Sequence, residues 1–111
     1  MAVLPLNTFR TITRQLTNTV QTLYTCPTGV TGIILMAQVS NVGSGTGKVT
    51  FTHVRQRVDT ELVKNCPVPI EDARSVLTGR LVLEEGDRIT VIADVAGILK
   101  IVMSVVESAN T

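Results

Sequence analysis

The stretch Leu81-Val82-Leu83-Glu84-Glu85-Gly86-Asp87-Arg88-Ile89-Thr90-Val91-Ile92-Ala93 decides the fold of this chain. It opens with three apolar residues and closes with a segment, residues 88–93, whose side chains alternate between two faces. Alternation with a period of two is typical of a strand with one buried face. Between the two runs, Gly86 occupies a position where a tight turn needs positive φ. The stretch therefore predicts two strands joined by a tight hairpin turn, with Asp87 hydrogen-bonded to the backbone of that turn.

The same kind of pattern extends in both directions from this stretch. Further strands are predicted at residues 8–16, 20–25, 31–40, 49–58, 60–64, 73–77 and 98–106. Asp59 marks a turn between two of them, and two prolines make residues 65–70 an extended edge segment. No segment of helical length has a 3.6-residue apolar stripe. Turn signals every 8–12 residues or so predict an all-β fold: an antiparallel, jelly-roll-like β-sandwich of about eight strands.

The length of 111 residues predicts one domain with short appendages. Residues 8–107 form the predicted sandwich, residues 1–7 an N-terminal arm, and residues 108–111 a loose polar tail. The arm carries Val3, Leu4 and Leu6 around a proline and has no charged side chain. An apolar arm of this kind either binds a partner or covers one end of its own sandwich, and both interpretations stay open. Val3, Leu4 and Leu6 are therefore the candidate partner-binding residues.

The composition indicates which partners to expect. Apolar residues make up 44% of the chain and charged residues 17%, which is more apolar surface than a small sandwich can bury. We therefore predict a homo-oligomer, with a trimer as the preferred state. The net charge of +1 lacks the basic excess of a nucleic-acid-binding protein, and Arg55 and Arg57 are interpreted as a solvated strand edge. No apolar run reaches the length of a membrane helix, so neither nucleic acid nor membrane is a predicted partner.

Residue types that carry catalysis are scarce and scattered. His53 is the single histidine, and it shares a strand face with Val49 and Phe51 with no acid or base beside it. This pattern predicts a packed or rim histidine. Acidic residues cluster only around Glu84 and Asp87, where a turn explains them better than a calcium site. The sequence therefore predicts no catalytic residue, no metal site and no cofactor, and the protein is not expected to be an enzyme.

The glycine-rich segment 41–47 precedes Lys48 and invites comparison with a phosphate-binding loop. The spacing fails, because Val49 follows the lysine where the motif needs Ser or Thr. A strand pattern also follows, where a phosphate loop needs the N-terminus of a helix. We expect a mobile hairpin loop here.

Two cysteines, Cys26 and Cys66, each precede a proline and lack the companions of a zinc site. The N-terminus has no basic segment typical of a signal peptide. Synthesis in a reducing cytoplasm favours free thiols, although a disulfide between the two remains an alternative.

The order of the motifs resembles that of small virion structural proteins of tailed bacteriophages, especially those that infect marine cyanobacteria. The matching elements are, in chain order, Tyr24-Thr25-Cys26-Pro27-Thr28-Gly29, a strand ending at Asn41, Pro67-Val68-Pro69, the segment from Leu77 to Asp87, and Ser104-Val105-Val106-Glu107. The resemblance covers residues 20–107. It implies a repeated building block of a viral particle, without catalytic residues.

Three hypotheses follow from this resemblance and from the composition. The first is a capsid decoration (cement) protein that binds the major capsid protein and stabilises the shell, made in the bacterial host cytoplasm and located in the virion. The second is a neck, tail or fibre-base component, which would bind other virion proteins. The third is a carbohydrate-binding module. The lack of tryptophan disfavours the third, as does the expected burial of Phe51 and Tyr24 in strands.

Overall fold

The computed structural model describes residues 7–109, which form nine β-strands. The strands are β1 (Asn7–Gln15), β2 (Gln21–Thr25), β3 (Val30–Asn41), β4 (Gly47–Arg55), β5 (Val58–Val68), β6 (Ala73–Ser75), β7 (Leu81–Leu83), β8 (Arg88–Ala93) and β9 (Leu99–Ala109). The all-β prediction is confirmed, and the nine strands agree with the expected count of about eight. No helix in the described part of the chain is long and apolar enough to cross a membrane.

The strands form two antiparallel sheets. The five-stranded sheet has the order β1-β9-β3-β6, with β7 also paired to β3, and the four-stranded sheet has the order β2-β8-β4-β5. Most strands that follow one another along the chain therefore lie in different sheets, and only β4 and β5 form a consecutive hairpin. This alternation between sheets is the arrangement of a jelly-roll sandwich.

The core lies between the two sheets, where alternate residues of the long strands are buried. In β9 these are Leu99, Ile101, Met103 and Val105, and in β8 they are Ile89, Val91 and Ala93. Phe51 of β4 is fully buried among them. The period-two pattern read from the sequence thus corresponds to the inward face of each strand.

Irregularities in pairing adjust which side chains face the core. The register of β2 against β8 shifts between Thr22 and Tyr24, so that the neighbouring residues Leu23 and Tyr24 are both buried. A β-bulge of this kind leaves one residue unpaired and changes the face to which the following side chains point. In β5, Asn65 adopts a φ of 50° beside another register shift, and its backbone N–H donates to Thr50 Oγ1.

Two turns differ from the sequence interpretation. The turn between β4 and β5 lies at Gln56 and Arg57, which have φ angles of 51° and 67°, and not at Asp59. Non-glycine residues seldom adopt this conformation, so no turn signal was visible in the sequence. The turn at residues 84–87 has the predicted positive φ at Gly86, 86°. It is not a hairpin, however, because β7 and β8 belong to different sheets.

The glycine-rich segment after β3 is likewise a crossing between sheets and not a hairpin loop. The side-chain amide of Asn41 donates to the carbonyls of Gly45 and Val68, at 2.8 and 2.9 Å, and its Oδ1 accepts the N–H of Gly43. One buried side chain therefore ties the loop to itself and to the end of β5.

The two ends of the chain also differ from the sequence-based boundaries. Asn7 begins β1 opposite Ser108, and both Ser108 and Ala109 lie in β9. The rest of the predicted arm, including Val3, Leu4 and Leu6, lies outside the described residues. So do the last two residues of the predicted tail.

Gly43 and Gly45 offer a matched pair of substitutions in the loop. A Cβ atom at Gly43 would overlap the side chain of Ile98, whereas one at Gly45 would meet nothing within 4 Å. We expect Gly43→Ala to destabilise the fold by roughly 1–3 kcal/mol, the usual cost of overpacking. Gly45→Ala should leave stability unchanged or slightly raised. Urea unfolding of the two variants measures the difference, and equal midpoints would contradict the close packing of Gly43 on Ile98.

Candidate functional site

An ion cluster built on the buried carboxylate of Asp87 lies at the ends of β4 and β8. Arg55 donates from Nη2 to Asp87 Oδ2 at 2.7 Å and from Nε to both carboxylate oxygens. The Nε2 atom of His53 lies 3.1 Å from Oδ2. The same oxygen accepts the backbone N–H of Glu84, at 3.0 Å. Asp87 thus joins strand β4 to the turn that crosses between the sheets.

The electrostatics of the cluster favour the ionised carboxylate. Burial raises the pKa of Asp87, but hydrogen bonds from Arg55, the Glu84 N–H and His53 outweigh it and lower the pKa to about 2. The same contact raises the pKa of Arg55, whose guanidinium also lies 3.1 Å from Glu84. A nearly buried carboxylate with this many donors is a fixed structural charge.

The pairing of His53 with Asp87 has the form of the orienting half of a catalytic triad. In a catalytic triad the carboxylate orients the histidine. Here Arg55 contacts both oxygens of the carboxylate, so its main partner is the guanidinium. The geometry therefore supports a role in fixing the turn. Within residues 7–109, no three His, Cys, Asp or Glu side chains are grouped where they could hold a metal ion.

A second polar cluster connects the two sheets through the core. Tyr24 of β2 donates its hydroxyl to Glu107 Oε2 of β9 at 2.6 Å, and both side chains are buried. Arg10 of β1 donates to the other oxygen of Glu107, at 2.9 Å. Burial first, and then the bond to Glu107, raises the pKa of Tyr24 well above its usual value. One carboxylate thus links three strands, two in one sheet and one in the other.

Cys26 lies near both clusters, and its surroundings do not favour a nucleophilic thiolate. Both cysteines are free in the structure, as the sequence favoured. The Cys26 thiol is buried, with the carbonyl of Val30 at 3.3 Å, and burial raises its pKa. A nucleophilic cysteine needs the opposite environment, one that stabilises the thiolate.

The structure tests several of the predictions made for individual residues. His53 is packed, with 14% of its side chain exposed, but it has the acidic partner that the sequence did not reveal. The predicted backbone bond of Asp87 is confirmed. Arg55 is solvated as predicted, with 42% of its side chain exposed, but it does not lie on a strand edge, because β4 runs between β8 and β5, and it is bonded to Asp87. That partner lies 32 residues away, so no local pattern could have indicated it.

No protein-family model and no curated protein sequence matches the chain. Seven chains of solved structures do match. One comes from Bacillus endospore appendages, described as a novel family of disulfide-linked pili, with a TM-score of 0.59, 12% identity and coverage of 100% of this chain and 98% of that one. Another comes from the acid-stable capsid of Helicobacter pylori bacteriophage KHP30, with a TM-score of 0.58, 12% identity and coverage of 98% and 92%.

A third match is a pentameric capsid protein isolated from metagenomic phage sequences, with a TM-score of 0.44, 15% identity and coverage of 89% of this chain and 60% of that one. The spore-appendage and KHP30 matches run over nearly the whole of both chains. They show that the complete sandwich is a fold that this chain shares with those two proteins.

The Asp87 cluster predicts a specific loss of stability in acid. Because the folded pKa of about 2 lies below the unfolded value near 4, the stabilisation is complete above pH 4 and disappears as the pH falls towards 2. The difference corresponds to about 2 kcal/mol. Asp87→Asn should lower the unfolding free energy at pH 7 by about 2–4 kcal/mol and flatten this acid dependence.

Asp59→Asn is the matched control, since Asp59 is exposed on β5. Chemical denaturation at several pH values compares the two variants with the wild type. An Asp87→Asn protein with the wild-type acid dependence would contradict the assignment.

Tyr24 is the only tyrosine, so ultraviolet absorbance of tyrosinate reports on it alone. Its raised folded pKa implies stability that is complete below about pH 10 and is lost as the pH rises further. Ionisation should therefore coincide with unfolding measured by circular dichroism. Tyr24→Phe should cost about 1–2 kcal/mol at pH 7, because Glu107 loses a donor, and should weaken the alkaline destabilisation. A tyrosine that ionises near pH 10 in a still-folded protein would disprove the buried bond.

Proposed function

We propose that this chain is a structural subunit of a bacteriophage particle, and specifically a capsid decoration (cement) protein that binds the outside of the shell. The observation that carries the proposal is the whole-chain likeness to a chain of the KHP30 capsid. High coverage of both chains means that the two have similar lengths. The order of motifs from Tyr24 to Glu107, which resembles small phage virion proteins, supports the same role.

The construction of the molecule suits a repeated rigid block. One buried carboxylate, Glu107, is held by strands from both sheets through Arg10 and Tyr24. The other, Asp87, fixes the turn between the sheets to β4 through Arg55. Such cross-connections resist shear between the sheets. A non-enzymatic role in the virion, after synthesis in the host cytoplasm, fits this use of its polar groups for internal bonding.

We propose that Val3, Leu4 and Leu6 make the attachment contact with a partner, the major capsid protein or another virion protein. Burial of three such side chains contributes about 1.5–3 kcal/mol each before the cost of ordering the arm. Multiplied over many copies, this energy secures a subunit to a shell. The proposed oligomeric state is a homotrimer.

A neck, tail or fibre-base subunit is the second candidate, favoured by the likeness to a chain of Bacillus endospore appendages, which are described as pili. Copy number separates the two candidates. A cryo-EM reconstruction of the particle that carries this protein should show many copies spread over the shell. A few copies confined to one vertex would exclude decoration and support the second candidate.

The role of the arm is tested on particles that lack this protein. Full-length protein added to them should co-sediment, whereas protein with residues 2–6 deleted should not, and its melting temperature should equal that of the full-length control. Undiminished binding with a lowered melting temperature would show that the arm covers its own sandwich instead.

A further inference from the structure

The outer face of the five-stranded sheet carries an exposed row of apolar side chains that crosses four strands. Register pairs Phe9 with Val106, Val106 with Ile33, and Ile33 with Val82. Phe9 is 73% exposed and Val82 is 53% exposed, while the two central residues are half-buried. Met36 lies on the same face, opposite Ser104 of β9, and is also exposed. The face therefore presents a continuous apolar band to solvent.

Charge is almost missing from this face. Along the described strands β1, β9 and β3, the outward positions hold Asn, Thr, Ser, Gln and apolar residues, and Lys100 at one end is the only charged residue among them. The outward positions of the four-stranded sheet carry Lys48, Asp59, Glu61 and Arg88, all exposed. Depletion of charge is the compositional mark of the centre of a protein interface. Of the two outer faces, only that of the five-stranded sheet shows this depletion of charge.

We propose that this face packs against a second copy of the chain in solution. A charged partner would leave its own charges unpaired against this face, whereas a second copy brings only Lys100, at one end of the face. The face is about 35 Å long and about 15–20 Å wide from strand rise and spacing. That is roughly 600 Å² of flat area, close to the ~800 Å² that each partner buries in a standard interface. The proposal rests on the homo-oligomer of the proposed function and names the surface that forms it.

The test compares two valine-to-glutamate substitutions at similarly exposed positions. Val82 lies in the apolar row, and Val58, 63% exposed, lies in the four-stranded sheet. Light scattering coupled to size exclusion should give wild type and Val58→Glu a mass at least twice the monomer mass of 11.9 kDa. Val82→Glu, and independently Phe9→Glu, should weaken self-association at least about tenfold, since each would bury a charge. Their melting temperatures measured below the dissociation constant should equal that of the wild type.

The remaining outcomes each overturn the proposal. A monomeric wild type would do so, and loss of stability on deleting residues 2–6 from that monomer would show that the N-terminal segment packs on its own sandwich. An oligomer that Val82→Glu and Phe9→Glu weaken no more than Val58→Glu does would place the contact elsewhere. In that case the homo-oligomer of the proposed function would stand. Attachment to particles is measured separately and does not depend on this result.

Discussion

The carboxylate of Asp87 fixes the turn through which the chain passes from β7 in the five-stranded sheet to β8 in the four-stranded sheet. A buried charge must be compensated, and this one is compensated by three groups at once: a guanidinium, an imidazole and a backbone N–H. The N–H of Cys26 also donates to the carbonyl of Asp87, and the N–H of Gly86 donates to the carbonyl of Cys26. The crossing turn is thereby fixed to β4 and to the end of β2. The alignment of β8 against its neighbours depends on this anchor.

Glu107 performs a comparable task on the other sheet. Its two oxygens receive Arg10 from the adjacent strand and Tyr24 from across the core. Both carboxylates also act on the Cys26 thiol between them, whose pKa they help to raise. The two polar clusters thus lie near one another, and their hydrogen bonds fix this part of the sandwich more firmly than apolar contacts alone would.

Local sequence patterns predict the positions of most strands, but they do not predict which strands pair with one another. The alternation at residues 88–93 and the short apolar run at residues 81–83 predict β8 and β7 with the same bounds as in the structure. Period-two alternation reports which face is buried, but it says nothing about which strand lies beside it. For that reason the local pattern predicts a hairpin between β7 and β8, although the two strands belong to different sheets. The bond from Tyr24 to Glu107 spans 83 residues and depends on a bulge that the sequence does not signal.

Strand β5 is an outer strand of its sheet, and its composition affects how the protein behaves at high concentration. Unpaired backbone groups along an outer strand are a template for endless strand addition between molecules, the route to amyloid. Pro67 lacks a donor, Asn65 bends the backbone out of register, and Glu61 and Lys64 add exposed charge along the same strand. These features disfavour strand addition at this edge, so the protein can remain dispersed at high concentration.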